Sequence, residues 1–144
     1  MVEPAIFGPI DAVLAPVAAY IVLLLVIVNM GTRLLAYRRH RREAEDGAEA
    51  VTRYPLHELT NVLLVLMVFY FTTLHRHDGI DLSLLVVGTL LADFFEFEAR
   101  NVEARQGVPL DLPKGAIFAS LVALTYAAYV SLFYAIAPVW NAIV

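Results

Sequence analysis

Residues 81–105, DLSLLVVGTLLADFFEFEARNVEAR, form the stretch that decides the fold, because this segment fits neither water nor lipid comfortably. Only eleven uncharged residues separate Asp81 from Asp93, whereas a helix needs about 20 apolar residues to cross a bilayer. If the segment crosses a membrane, it carries Asp93 and Glu96 into or beside the hydrocarbon. We interpret residues 81–104 as a transmembrane helix whose acidic residues need polar partners on neighbouring helices.

Three further segments are long and apolar enough to cross a bilayer. Uncharged runs cover residues 12–32, 59–74 and 115–144, with lengths of 21, 16 and 30 residues. The chain is 60% hydrophobic, and its mean hydropathy of +0.72 is too high for a soluble domain. We therefore predict an all-α protein, one four-helix transmembrane bundle over residues 1–144. The predicted helices cover about 10–37, 57–75, 81–104 and 115–140, after an irregular start that contains Pro4, Gly8 and Pro9.

Basic residues are distributed unevenly among the predicted loops. The loop between the second and third helices carries only Arg76. The other two loops and their flanks carry nine basic residues: Arg33, Arg38, Arg39, Arg41, Arg42, Arg53, Arg100, Arg105 and Lys114. Basic loops stay in the cytoplasm, so we predict both termini outside and a multi-pass protein of the cell membrane in contact with lipid. The net charge of −4 argues against nucleic acid as a partner.

Polar residues from three predicted helices fall at the same depth, on the cytoplasmic side. At about 100° per residue, Asp93, Glu96 and Arg100 share one face of the third helix. The inner turns of the first helix and the first turns of the second reach the same level. We therefore predict an inner polar cluster of Asn29, Arg33, His57, Asn61, Asp93, Glu96 and Arg100.

This cluster has two interpretations, because a charged carboxylate in the bilayer costs about 2.5–3.5 kcal/mol and needs pairing or protonation. In the first, the cluster is structural: Arg33, Arg100 and Asn61 satisfy Asp93 and Glu96, which locks the helices together. In the second, the two acids form an ion, proton or ligand site that faces the cytoplasm. We favour the structural interpretation because the acids lie within two or three turns of the interface, where long side chains reach water.

Small residues recur along the last helix at every fourth position: Gly115, Ala119, Ala123, Ala127, Ser131 and Ala135. Gly88 and Ala92 give the third helix a shorter version of the same pattern. In lipid, small residues favour helix association because they let backbones approach closely. We interpret these positions as helix-packing residues, within the chain or between copies; the alternative is that alanine is simply common in apolar helices.

The polar connector predicted at residues 75–79 contains a weak candidate for a divalent metal, formed by His75, His77 and Asp78. Short polar turns commonly contain such residues, so we predict no metal site. The chain has no cysteine, and it contains no nucleophile elbow, phosphate loop, HExxH or dinucleotide fingerprint. We predict no catalytic residue, no enzyme activity and no cofactor.

Five segments carry a resemblance that extends over nearly the whole chain: FGPIDA (7–12), RLLAYRRHRR (33–42), FYFTTLHRH (69–77), LLADFFEFEARNVEARQ (90–106) and APVWNA (137–142). Together they resemble a family of small haloarchaeal membrane proteins that has no assigned function. The resemblance implies four spans and a location in the cell membrane. It implies no activity and no site residue.

Two classes of function follow from these features. The chain is either an accessory or assembly subunit or a homo-oligomeric scaffold, associated with itself or with other membrane subunits. Alternatively, it is a component of an ion or proton channel or transporter that uses Asp93 and Glu96. Four helices without an inverted repeat are few for a complete transporter, which favours the first class.

Overall fold

The computed structural model of the protein describes residues 7–144, and these residues form helices joined by short connections. The helices are α1 (Pro9–Leu14), α2 (Ala18–Glu45), α3 (Pro55–Leu74), α4 (Arg76–Gln106) and α5 (Lys114–Ile143). Two of them, α1 and α3, begin with a proline at their first position, where the missing N–H costs no helical hydrogen bond. The prediction of an all-α chain is confirmed for the residues described.

The first predicted helix is divided near its start. A 3₁₀ turn, Ala15–Val17, separates α1 from α2 because Pro16 removes one backbone donor. After this turn α2 continues to Glu45, eight residues past the predicted end. At the other end, α1 already begins at Pro9, within the segment predicted to be irregular; residues 1–6 of that segment lie outside the described part of the chain.

The connection between α3 and α4 is shorter than predicted. We expected a turn over residues 75–79 and a helix start near Asp81, but only His75 is non-helical and α4 begins at Arg76. The reason lies at Gly79, which is buried against α3: a Cβ atom at this position would clash with the Cα of Thr72. Gly79 therefore acts here as a contact residue between two helices, and its helical conformation allows them to approach closely.

The four long helices form a bundle in which each packs against two others. Helix α2 contacts α3 and α5, and α4 also contacts α3 and α5. Chain neighbours run antiparallel, so the C-terminal parts of α2 and α4 and the N-terminal parts of α3 and α5 meet at one end. We call this the basic end, because it carries nine of the ten Lys and Arg residues. The apolar core fills the middle and the opposite end, with Val22, Val26, Val68, Phe71, Leu82, Val86 and Val130 among its buried members.

Tyrosine–aspartate hydrogen bonds join the helices at the end opposite the basic end. The hydroxyl of Tyr70 donates to Asp11 over 2.7 Å, which connects α3 to α1. Two tyrosines of α5 donate to acids in the first turns of α4, Tyr126 to Asp81 at 2.9 Å and Tyr134 to Asp78 at 3.1 Å. The bundle therefore has a polar layer at each end, with apolar packing between them.

Small residues do line the buried face of α5, but only part of the predicted stripe lies on that face. Ala123, Ala127 and Ser131 are buried, Ala119 is half-buried, and Gly115 and Ala135 are exposed. A step of four residues advances about 40° beyond one turn, so a strict fourfold stripe leaves the interface after a few steps. The buried face instead mixes steps of three and four: Ala116, Ser120, Ala123, Ala127 and Ser131.

The predicted packing pair on α4 makes less contact than expected. Gly88 is exposed, and a Cβ atom at this position would meet only open space. Ala92 is half-buried. Within α4 the close helix contact is made by Gly79, nine residues before Gly88.

Three helical segments of the described chain are long and apolar enough to cross a membrane: Pro9–Glu45, Pro55–Leu74 and Lys114–Ile143. Helix α4 has 31 residues, but its acidic residues set it apart from these three. Large apolar side chains face outward from the bundle, among them Leu66, Leu84, Phe118 and Leu132. The outer surface around the middle of the helices is therefore apolar.

Candidate functional site

Three helices bring polar side chains together inside the basic end of the bundle. Residues 29, 32 and 33 of α2 and residues 57, 60 and 61 of α3 share the same spacing of three and four. This spacing places each trio on one helical face, and the two faces meet. We call the set the inner polar network: Asn29, Thr32, Arg33, His57, Thr60, Asn61 and Asp93, the last from α4.

The centre of the network is an ion pair between α2 and α4. Arg33 donates from Nε to one carboxylate oxygen of Asp93 and from Nη2 to the other, both over 2.8 Å. The side chains are only 2% and 10% exposed. A bidentate pair of this kind combines two charge-assisted hydrogen bonds with a fixed planar geometry. It satisfies both oxygens of the acid that interrupts the apolar stretch of α4.

His57 connects α3 to the same carboxylate. Its Nε2 lies 3.1 Å from Oδ2 of Asp93, and its Nδ1 lies 2.8 Å from the hydroxyl of Thr32. An ionised carboxylate only accepts hydrogen bonds, so Nε2 carries a proton and donates it to Asp93. The imidazole is therefore held at both nitrogens, between α2 and α4.

Asn29 occupies the position between the ion pair and α3. Its Oδ1 accepts from Nη2 of Arg33 over 2.6 Å, and its Nδ2 donates to Asn61 over 2.7 Å and to Thr60 over 3.0 Å. Because Arg33 can only donate, the orientation of this amide is fixed. Asn29 is buried, and its three partners come from two helices. The network thus links α2, α3 and α4 through one continuous set of hydrogen bonds.

Glu96 lies apart from this network, contrary to the prediction that it joins the cluster. Its Oε1 accepts from the backbone N–H of Ala116 over 3.0 Å, in the first turn of α5. A carboxylate at a helix N-terminus satisfies a free donor and interacts favourably with the helix dipole. Gly115 leaves room for this contact, because a Cβ atom there would come within 2.9 Å of the carboxylate oxygen. Glu96 therefore connects α4 to α5.

Arg100 also lies outside the network. Contrary to the structural interpretation, it forms no ion pair with Asp93 or Glu96 among residues 7–144. Instead its Nη1 lies 3.1 Å from Nδ1 of His40, and its guanidinium lies over the ring of Tyr37. The spacing of four residues between Glu96 and Arg100 would allow a pair within α4. Instead Glu96 bonds to α5 and Arg100 bonds to α2.

His40 is neutral in this arrangement. Arg100 only donates, so Nδ1 of His40 accepts, and Nε2 carries the proton that it donates to the carbonyl oxygen of Thr52 over 2.8 Å. Burial and then the nearby charge of Arg100 lower the pKa of His40 below its ordinary value. Arg100 is thus a buried cation with a neutral hydrogen-bond partner.

A cavity of about 230 Å³ opens beside the network at the basic end. Arg33, His57, Asn61 and Asp93 form part of its wall. Its other polar lining residues are His40, Arg53, Tyr54, Glu58 and Arg100, and its apolar ones include Leu90, Phe94 and Phe97. The cavity therefore contacts both the ion pair and the buried Arg100.

The weak metal candidate is not assembled in the structure. His75 packs against the rings of Phe71 and Tyr134, and Asp78 accepts a hydrogen bond from Tyr134. His77 extends from the bundle, with Nε2 3.9 Å from Asp81. Within residues 7–144, no three His, Asp or Glu side chains lie close enough together to hold a metal ion. The side chains of His75, His77 and Asp78 point in different directions because the chain is already helical from Arg76 onward.

Three residues of this region were absent from the predicted cluster: Thr32, Thr60 and His40. The spacing of His57, Thr60 and Asn61 contained the signal for Thr60, since all three lie within one turn of the same face. His40 gave no such signal, because it lies in a run of arginines typical of a solvated loop. It becomes buried only because α2 continues to Glu45.

Comparison with known proteins adds a family to this description. No curated protein and no solved structure matches the chain. A family model matches residues 3–144, which is nearly the full length. The chain therefore belongs to the family described as Domain of unknown function (DUF7313).

Proposed function

We propose that this protein is a multi-pass protein of the cell membrane in which α4 forms the fourth span and both termini lie outside. Three long apolar helical segments and the nine-to-one distribution of basic residues support this topology, as does the resemblance to small haloarchaeal membrane proteins. At 1.5 Å per residue, the 31 residues of α4 extend about 46 Å, more than the hydrocarbon thickness of about 30 Å. Asp93 then lies near the inner boundary of the hydrocarbon, about 26 Å from the start of α4.

Within this topology, the inner polar network holds the helices together, and the protein serves as a non-enzymatic accessory or assembly subunit or as a homo-oligomeric scaffold. The observation that carries this proposal is the use of both carboxylate oxygens of Asp93 by Arg33 and His57. A bidentate guanidinium stabilises the charged carboxylate, whereas a proton carrier has to exchange its proton in each cycle. Glu96, the second acid of the transport alternative, is bound to the first turn of α5.

A flux measurement separates the structural role from the transport alternative. The purified protein is reconstituted into liposomes, and proton and cation fluxes are compared for the wild type, Asp93→Asn and the control Glu98→Gln. Glu98 is an exposed acid on the same helix. We expect no flux above empty liposomes and a lower thermal stability for Asp93→Asn alone. A wild-type flux that Asp93→Asn abolishes would replace the structural proposal with the transport one.

Substitutions that test self-association or partner binding have to lie at exposed positions. Ala123 and Ala127, which the sequence pattern assigned to packing, are buried within the chain, so leucine at these positions would disturb the fold itself. Leu132 and Phe118 are exposed on α5. We expect the native complex, purified from its own membrane, to have a mass above 16.0 kDa that falls in Phe118→Ala or Leu132→Ala. A monomeric mass without copurifying subunits would contradict the scaffold role.

A further inference from the structure

We propose that the cavity at the basic end binds a phosphate group, either as free phosphate or as the head group of a phospholipid. The cavity lining contains three arginines, Arg33, Arg53 and Arg100, and two acids, Glu58 and Asp93. With His40 neutral, as its hydrogen bonds require, these arginines and acids give the lining three positive and two negative charges. One further negative charge would therefore neutralise the cavity lining. This inference goes beyond the proposed function, because it holds for a scaffold and for a transporter alike.

Arg100 is the arginine of the cavity lining that makes no direct ion pair in the described chain. It is only 6% exposed, and no carboxylate lies within ion-pair distance of it in the described chain. Its Nη1 bonds to neutral His40, and its Nε is buried without a hydrogen-bond partner. Glu96 and Asp93 lie near enough to act on Arg100 by charge, but neither bonds to it. A buried charge without a directly bonded counter-ion is costly, so an anion in the adjoining cavity would stabilise Arg100.

Arg33 offers a second unused donor. It is 1% exposed, and two of its three nitrogens are bonded to Asp93 and Asn29, but Nη1 has no partner in the described chain. Guanidinium groups match phosphate oxygens in geometry and provide several N–H donors each. Two buried guanidinium groups with a free donor each, on different helices, suit a tetrahedral anion with several acceptor oxygens.

The acids of the cavity are already engaged, which limits their repulsion of an anion. Both oxygens of Asp93 accept from Arg33, and Glu58 pairs with Arg53 over 3.4 Å. Arg53 is the half-exposed arginine of the lining and lies over the ring of Phe97, 4.4 Å from its centroid. In the proposed topology the basic end, and with it this cavity, lies at the inner membrane boundary, within reach of lipid head groups and of soluble phosphate.

Two binding measurements test the site and distinguish the sources of phosphate. In the first, inorganic phosphate is titrated calorimetrically into delipidated full-length protein in neutral detergent at constant ionic strength. In the second, binding of phosphatidylglycerol and of phosphatidylcholine is compared by native mass spectrometry. We expect saturable binding at one site, for phosphate or for phosphatidylglycerol in preference to phosphatidylcholine. Saturation by inorganic phosphate identifies free phosphate as the ligand, and saturation by phosphatidylglycerol identifies a lipid head group.

Variants with matched charge locate the binding. Arg100→Gln should weaken it by at least about tenfold, the loss expected for a charge-assisted hydrogen bond. Arg105→Gln, an exposed control on the same helix outside the cavity, should bind as the wild type does. If Arg100→Gln does not fold, Arg53→Gln replaces it, with a loss in the same direction. The proposal is overturned if neither ligand saturates the wild type, or if Arg105→Gln loses as much affinity as the cavity variants.

Discussion

Separating Arg33 from Asp93 should be among the most damaging single changes in the chain. Both side chains are nearly inaccessible, at 2% and 10% exposure. Removing one partner of a buried pair leaves an uncompensated charge, which costs about 3–5 kcal/mol. We therefore expect Arg33→Met and Asp93→Leu each to lower the free energy of unfolding by that amount.

The double variant distinguishes a specific pair from two independently important residues. Removing both charges leaves only Asn29 and His57 without their partners, at about 1–3 kcal/mol each. We expect the double variant to lose less than the sum of the two single variants, by about 2–3 kcal/mol. Lys114→Met is the control, since Lys114 forms an exposed pair with Asp111 and its loss should cost at most about 1 kcal/mol.

The assay is equilibrium unfolding in mixed micelles, followed by far-ultraviolet circular dichroism. Wild type, both single variants, the double variant and the Lys114→Met control are measured under identical conditions. Losses that add within about 0.5 kcal/mol would refute the reasoning, because residues in direct contact should not act independently.

Three further predictions concern the contacts around this pair. Gly79→Ala should destabilise the bundle by about 1–3 kcal/mol through overpacking against Thr72, whereas Gly88→Ala on the same helix meets open space and should be neutral or stabilising in thermal unfolding. Glu96→Ala should cost about 0.5–2 kcal/mol because α5 loses its capping carboxylate, and Glu96→Gln should cost less; equal losses would contradict the role of the charge. The lowered pKa of His40 means that the unfolded chain binds this proton more readily, so stability should fall as the pH drops below about 6.5. His40→Gln should show a flatter pH dependence below about pH 6.5, and an unchanged slope would count against the buried neutral histidine.

Helix length and composition made the broad architecture predictable. The uncharged runs around residues 12–32, 59–74 and 115–144 are too long for anything but helices in a chain this apolar. The helix ends were less predictable. At the start of α4 the backbone of Gly79 approaches Thr72 of α3 closely, and no sequence pattern reveals how closely the two helices approach each other there.

The sequence indicated which polar residues share one level of the bundle and that Arg33 pairs with an acid of α4. It did not indicate the partners of Glu96 and Arg100. Counting along each helix placed Asn29, Arg33, Asn61 and Asp93 at one level, where the structure joins them. Which neighbour a side chain contacts depends on the rotation of each helix about its axis, and sequence spacing leaves that rotation open. For this reason Glu96 turns to α5.

The hydrogen bond between Arg100 and His40 was likewise not predictable from sequence spacing. Arg100 was assigned to the inner cluster from its face on α4, whereas His40 was not singled out, since it lies among the arginines assigned to a cytoplasmic loop. The extension of α2 to Glu45 brings His40 beside Arg100. The length of a charged helix beyond the apolar run is a tertiary property, because packing rather than hydropathy stabilises it.

The central claim is that α4 crosses the bilayer and directs Asp93 toward its neighbours. Because the chain has no cysteine, single cysteines can be placed at His77, Leu84, Leu91, Phe95 and Arg105 and tested with a membrane-impermeant maleimide in oriented vesicles. We predict labelling of position 77 from the outside only and of position 105 from the inside only, with positions 84, 91 and 95 protected by lipid. Labelling of all five positions from one side would contradict the account, because α4 would then lie on the membrane surface.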